Sequence, residues 1–299
     1  MPANTIKQQT ADHYLPYLDA LNRDGVAVIP ASVSPDIIRE TLGGIKSFFA
    51  LNKHLFDKHR DEDGHFPRII NLHAAYKKLL DVFVKNPVAL AVQDGFFGEI
   101  SSVYTTLYFE RGSAQPIHRD SPYFTTRPAG RYLGVWVALE DANEMNGCLQ
   151  VIKGGHLVPE EDVEAIALRN YDCLDAISAS SESLWNEYQA LMTQACFDRG
   201  LKVEKIPVKA GDTVIWHPRL PHGGSAIGDL KRTRHSLVLH VTPMNTAVYH
   251  QDVFFNPSKI VPEKKDWDYL PYADRMYIDY PVIDFGHKEL IPVSALAQA

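Results

Sequence analysis

Cysteine is scarce in this chain: Cys148, Cys173 and Cys196 are the only three in 299 residues, and no two form a C-x-x-C pair. That excludes a disulfide framework and a zinc ribbon, and a reducing compartment is expected. No dense run of Lys and Arg occurs, and the net charge is −7. Nucleic acid and an anionic membrane surface are therefore excluded as main partners, because phosphate binding needs clustered cations. No apolar run reaches the length of a membrane span, and Met1 to Thr10 is polar where a secretory signal would be apolar. These absences predict a cytoplasmic protein whose partner is a small molecule. Internal repeats and low-complexity segments are also missing. At 45% hydrophobic and 22% charged, the chain can bury a large core and reads as one domain over 1–299.

Apolar spacing predicts a helix over residues 12–24, stopped by Gly25 before a short strand, Val26 to Ile29. Ser34 followed by Pro35 is an N-cap and first-turn pair that opens a helix to about Phe49. Residues 52–67, dense in Lys, His, Asp and Glu, read as a solvated loop or lid edge, and Leu72 to Gly95 as helical with a break at Pro87. From about 103 to 242 the apolar runs become short and rich in β-branched and aromatic residues, separated by turn formers, the pattern of an antiparallel sandwich or barrel. One stretch, about 158–200, lacks that character and reads as a two-helix insertion, placed where a lid could sit. The tail, 245–299, is dense in aromatics and proline, and is expected to pack over the barrel or against a second copy in a homodimer.

The chemistry concentrates in Gln115-Pro-Ile-His-Arg-Asp-Ser-Pro-Tyr123. In an extended chain His118 and Asp120 share a face while Arg119 points the other way. One imidazole and one carboxylate make two-thirds of the two-histidine, one-carboxylate set that leaves open positions on ferrous iron. The third ligand is assigned to His222, where a strand-like run ends in Pro and Gly and the chain is expected to turn. His217 is the rival, with a structural or rim role as the blander reading. His235 and His240 read as satisfied core or surface histidines, His156 as a turn residue, and Cys148 as a small buried hydrophobe. Arg119, Arg127 and Arg131 read either as a solvated rim or as groups that recognise an anionic substrate.

These residues, with Trp136 to His156, Gly211-Asp-Thr-Val and His217-Pro-Arg-Leu-Pro-His222-Gly, resemble the phytanoyl-CoA dioxygenase-like branch of the iron(II) and 2-oxoglutarate oxygenases. The resemblance runs from about Gly25 to His240. It implies a mainly β fold with a double-stranded β-helix core (jelly roll, cupin-like), N-terminal helices and a helical insertion. It further implies that His118, Asp120 and His222 hold Fe(II), that Arg234 anchors the 5-carboxylate of 2-oxoglutarate, and that Gln115 and Trp136 line the cosubstrate pocket. Arg232 is the alternative to Arg234, but strand phase puts Arg234 on the face of Ser236 and Val238 while Arg232 lies in a loop. O2 is then the second cosubstrate, ascorbate a supporting reductant, and the reaction hydroxylation of a small-molecule C–H bond with release of succinate and CO2. Halogenation in such enzymes requires the carboxylate position to be vacated, and Asp120 is present. The competing readings are a jelly-roll isomerase or hydrolase with another metal, which has no use for Arg234, and a binding module without catalysis.

Overall fold

The computed structural model describes residues 13–66, 68–286 and 289–297. Met1 to Thr10 lies outside the described residues. Helix α1 (Leu15–Asp24) ends at Gly25, whose φ of 80° lets its N–H return to the Leu21 carbonyl. Strand β1 (Val26–Ile29) follows, and α2 (Pro35–Leu51) is capped as expected by the Ser34 hydroxyl accepting from the Ile37 N–H. Next come β2 (Ile69–Ile70), α3 (Pro87–Phe97), β3 (Ser101–Phe109), β4 (Leu133–Ala138) and β5 (Leu149–Ile152). The insertion supplies α4 (Val163–Leu168) and α5 (Glu182–Asp198), the two helices expected there. The chain continues through β6 (Val203–Ile206), β7 (Thr213–Trp216), β8 (His222–Gly224), β9 (Ser236–Pro243), β10 (Tyr269–Tyr272), β11 (Arg275–Ile278), β12 (Val282–Asp284) and β13 (Leu290–Pro292).

The fold is mainly β, with a jelly-roll core of two sheets. The major sheet runs β1-β7-β4-β9-β3-β2-β12-β13, with β11 added to β3, and the minor sheet runs β6-β5-β8. Strand β9 lies centrally and every residue in it is buried, because both faces of the major sheet are covered. Its alternation divides the molecule. Leu237, Leu239 and Val241 pack outward with Leu21, Ile45 and Phe48 of the helical layer. Val238 faces the other way, into a second cluster with Trp136, Leu149, Val151 and Trp216 that joins the two sheets.

Three segments depart from the sequence reading. Residues 52–67 are not simply a solvated loop: Phe56 and Phe66 are fully buried, 5.8 Å apart, and both stack against Phe285 of the tail. Apolar anchors among charged neighbours were too sparse to show a helical period. His222 does not sit in a turn but opens β8, which pairs with β5. The aromatic tail forms four strands that extend the major sheet, with β12 joining β2 through Asp284 opposite Ile70.

His73 shows what this packing costs at low pH. It is fully buried against the Thr106 hydroxyl, and burial outweighs a hydrogen bond to the Ile278 carbonyl, pushing its pKa down to about 4. Above about pH 6.5 folded and unfolded chains both hold it neutral. Between 6.5 and 4 only the unfolded chain takes up the proton, so stability is lost as pH falls through that window, by up to roughly 3 kcal/mol. Urea unfolding of His73→Gln should therefore give a shallower stability loss between pH 7 and pH 4.5 than the parent. Parallel slopes would show that this imidazole carries none of the acid sensitivity.

Candidate metal centre

Backbone pairing brings the two histidines together. His118 N–H donates to the His222 carbonyl at 2.8 Å and His222 N–H to the His118 carbonyl at 2.9 Å. Directly opposed residues of an antiparallel bridge project to the same side, and here the imidazole centroids lie 4.5 Å apart. Gly223 is part of the reason: a Cβ there would come within 2.6 Å of the Gln115 carbonyl, so only glycine admits the 115–118 segment against β8. Two residues beyond His118 the extended chain returns Asp120 to the same face. One ligand atom each from His118, Asp120 and His222 lie within 4.8 Å of one another, and all three residues are buried.

The surrounding hydrogen bonds select the protonation states such a site needs. His118 Nδ1 meets the Pro116 carbonyl at 2.8 Å and His222 Nδ1 meets the Leu220 carbonyl at 3.0 Å. A carbonyl accepts only, so both Nδ1 atoms carry a proton, which makes Nε2 the lone-pair nitrogen of each ring in its neutral form. Burial pushes His222 down to about 4, against the raising effect of Asp120, so it is neutral at physiological pH. Burial alone would raise the Asp120 carboxyl, but the adjacent His222 and His118 imidazoles outweigh it and hold it well below the carboxylate range. A neutral His222 imidazole beside an ionised Asp120 carboxylate matches the donor set that ferrous iron accepts, with His118 offering the second imidazole.

Asp120 is aimed by residues that carry no signal in the linear motif. Its Oδ2 accepts from Tyr132 Oη at 2.7 Å and from Trp216 Nε1 at 3.1 Å. Trp216 can lie there because Gly134 is its register partner on β4, where a Cβ would fall 2.0 Å from the indole. Removing the phenol in Tyr132→Phe should weaken iron binding about 10- to 100-fold, with the fold intact, and competition against a fluorescent chelator measures it. An unchanged affinity would separate Tyr132 from the metal function.

The centre opens into a cavity of about 770 Å³. Arg234 lines it and is 2% exposed. Its Nη1 donates to the Gly147 carbonyl at 2.7 Å and its Nη2 reaches the Ser236 hydroxyl at 3.4 Å, while Nε has no partner. Burial lowers it to about 10, still charged at neutral pH. No carboxylate of the described residues is in ion-pair contact with it, although the charge of Glu140 acts on it, so a buried cation faces the cavity with no counter-ion in contact. Trp136 lies 5.5 Å below the guanidinium, with its own Nε1 unpartnered, and Gln115 donates from Nε2 to His118 Nε2 at 3.2 Å. All six residues singled out in the sequence line this cavity.

Other expectations need correction. Arg119 is neither rim nor substrate contact: fully buried, it donates to the Gly155 and Val158 carbonyls, pairs with Glu160 at 2.9 Å, and so ties down the start of the insertion. Its backbone is gripped twice by Gln189 of α5, at 2.7 and 2.8 Å. One turn earlier on α5, Trp185 stacks 5.7 Å from His118 and 4.9 Å from Tyr123, making the insertion part of the cavity wall. Arg127 donates to the Val253 carbonyl and Arg131 pairs with Glu99; neither lines the cavity. His240 is no satisfied core histidine either. It lines the cavity 4.0 Å from the Phe124 ring, Nε2 3.8 Å from Asp120, with Nδ1 unpartnered. The alternation that turns Arg234 and Val238 inward also turns His240 inward, so strand phase was the signal for it. His217 is packed between Phe96 and His156, away from the cavity.

Comparison with known proteins adds the following. The family model for phytanoyl-CoA dioxygenase (PhyH) matches residues 21–235. A Danio rerio phytanoyl-CoA dioxygenase domain-containing protein 1 is 25% identical over 198 residues, 66% of this chain and 57% of that protein. The peroxisomal phytanoyl-CoA dioxygenase of Bos taurus is 28% identical over 116 residues, 38% of this chain and 29% of that one. The chain thus spans about half or less of the curated relatives it matches. Among solved structures, the epimerase SnoN in complex with Fe3+, alpha ketoglutarate and nogalamycin RO aligns with a TM-score of 0.61 at 18% identity, over 90% of this chain and 99% of SnoN. The alpha ketoglutarate dependent carbocyclase SnoK aligns with a TM-score of 0.55 at 19% identity, over 83% of this chain and 91% of SnoK. At these identities the likeness is one of fold. No helix of the described residues is long and apolar enough to cross a membrane.

Proposed function

The chain belongs to the phytanoyl-CoA dioxygenase family, and on that premise we propose that it is an iron(II)- and 2-oxoglutarate-dependent oxygenase that hydroxylates a C–H bond of a small molecule. His118, Asp120 and His222 would hold the iron, and Arg234 the far carboxylate of 2-oxoglutarate. One observation carries the reading: a buried two-histidine, one-carboxylate cluster and a buried arginine with no counter-ion in contact open into the same cavity. An isomerase or hydrolase on this fold would need the first and not the second. When bound, iron and 2-oxoglutarate supply oxidative decarboxylation: O2 and 2-oxoglutarate are consumed, succinate and CO2 leave, and one oxygen atom enters the substrate C–H bond.

The chain's own residues supply position and exclusion. The Pro116 and Leu220 carbonyls keep both Nε2 lone pairs directed at the centre, and Tyr132 with Trp216 fixes the carboxylate. Arg234 offers a two-toothed grip on a carboxylate that lysine could give only as a point charge. Trp136 and Gln115 flank that grip, and Trp185 with Tyr123 closes the cavity against water from the insertion side. Because the insertion and the tail both line the cavity, the described residues act as one catalytic domain, with 158–200 as its lid.

The neighbours of this fold include an epimerase and a carbocyclase, so the product is what has to be measured. Purified protein is incubated with iron(II), ascorbate, 2-oxoglutarate and a metabolite library, and scored for succinate and for a product heavier by one oxygen atom. Succinate with a product of unchanged or hydrogen-depleted mass would replace hydroxylation by another oxidation. No iron binding and no succinate with any compound would defeat the reading.

A further inference from the structure

The cavity extends away from the metal centre along the major sheet, into a part the mechanism above leaves unused. Its floor crosses from His240 on β9 through Leu107 and Thr105 on β3 to Arg68, the residue just before β2. Arg68 and Arg234 are the only arginine or lysine side chains among the described residues that line it. With Arg234 committed to the cosubstrate, Arg68 is the remaining cation. It is largely buried, and among the described residues it has no hydrogen bond and no ion pair within 4 Å, although the charge of Asp284, which lines the same cavity, acts on it. Desolvating a guanidinium with no carboxylate in contact is costly, and a bound oxyanion would offset that cost.

A second donor, three residues on, lines the same cavity. Asn71 holds a left-handed φ of 59°, a conformation that asparagine tolerates but that strand residues avoid. Its N–H is bonded to the Thr106 carbonyl at 2.8 Å, and its Oδ1 accepts from the Thr105 hydroxyl at 2.6 Å. With the oxygen engaged, the amide NH2 has no partner among the described residues, and Asn71 lines the same cavity as Arg68.

From this arrangement we propose that the substrate carries a carboxylate, gripped by Arg68 with Asn71, at the end of an apolar body lying along the sheet. The proposal rests on the oxygenase reading and names its substrate class. Two strand spacings, roughly 10 Å, separate β2 from β9, and the register sets Arg68 level with Phe109 while His240 lies opposite Thr105, so the anion site is displaced from His240 along the strands as well as across them. The attacked carbon is therefore several bonds removed from the carboxylate. Aromatic walls from Tyr104 and Phe124, with Leu107 on the floor, suit a chain or ring between the two ends.

The test uses the full chain loaded with manganese(II) and saturated with 2-oxoglutarate under argon, so that Arg234 is occupied and no turnover occurs. Trp136, Trp185 and Trp216 line the cavity, and their fluorescence reports filling. The probes are octanoate, 4-phenylbutyrate, the methyl ester of each, and octyl phosphate. In the parent, acids should bind at least tenfold more tightly than their esters. Arg68→Met should erase that preference, Arg68→Lys should retain part of it, and Asn71→Asp should weaken the acids and not the esters, all with unchanged 2-oxoglutarate affinity. Equal binding of acids and esters, a preference that survives Arg68→Met, or a parent that binds none of the acids overturns the proposal. Octyl phosphate outcompeting octanoate overturns the carboxylate assignment in favour of a phosphate monoester. A parent that fails to bind 2-oxoglutarate at all defeats the oxygenase reading, a result distinct from each of these.

Discussion

Alanine at His222 or at His118 is expected to leave a folded protein that no longer binds ferrous iron stoichiometrically and releases no succinate. Each imidazole offers one Nε2 lone pair to the centre, with Nδ1 tied to a backbone carbonyl, so neither has a substitute at its position. Residues that merely orient ligands are typically worth 10- to 100-fold in metal affinity; loss of a ligand should exceed about a hundredfold. Asp120→Ala should behave alike, and Asp120→Glu should be nearly as poor, because an added methylene displaces an oxygen already held by Tyr132 and Trp216. His217→Ala is the control. That ring packs on Phe96 and His156 and accepts from the Arg219 N–H, so its removal should lower stability and leave iron binding intact. Iron titration by isothermal calorimetry, with circular dichroism to verify folding, decides the matter. Full activity in His118→Ala or His222→Ala with loss in His217→Ala would overturn the ligand assignment.

Arg234→Ala should raise the 2-oxoglutarate requirement steeply while iron still binds. Losing a buried charge partner costs on the order of 2–5 kcal/mol, a weakening of roughly 30- to several-thousandfold. Alanine removes a desolvated cation but also leaves the Gly147 carbonyl without its donor, so the two effects on the apoprotein's stability oppose each other. A steep loss of cosubstrate binding with iron binding intact is not what a purely structural arginine would give. Arg232→Ala, at an exposed position in the preceding loop, should do little. Succinate release at varied 2-oxoglutarate measures both variants. A large effect at Arg232 would move the anchor by two residues and leave the function standing; no effect at either would remove the cosubstrate site from this end of β9.

Some of this protein could be read directly because its causes are local. The Ser34-Pro35 start of α2 is a capping hydroxyl bonding within four residues, and the stop at Gly25 is a backbone conformation open to glycine. The shared face of His118 and Asp120, and the inward phase of Arg234, follow from the two-residue period of an extended chain. The same period, carried six residues on from Arg234, would have turned His240 inward as well.

What tertiary structure alone decided depends on which distant segments meet. That His222 lies opposite His118 is set by a pair of backbone hydrogen bonds across 104 positions of chain, and in sequence the same Pro-His-Gly reads as a turn. Tyr132 and Trp216 become Asp120's partners only because β4 and β7 pair in a register that sets Gly134 against the indole. Arg119 looks like a free charge beside a motif until the insertion folds over it and supplies carbonyls and Glu160. The tail's aromatics gave no strand period because their strands are short and proline-broken, and they are held by pairing with distant strands, β12 with β2 and β11 with β3. Amino-acid order thus determined which side chains could do the chemistry and which way each faces along its own strand. The pairing of strands far apart in the chain determined which of them share a cavity, because hydrogen bonds between backbones carry no record of the residues that make them.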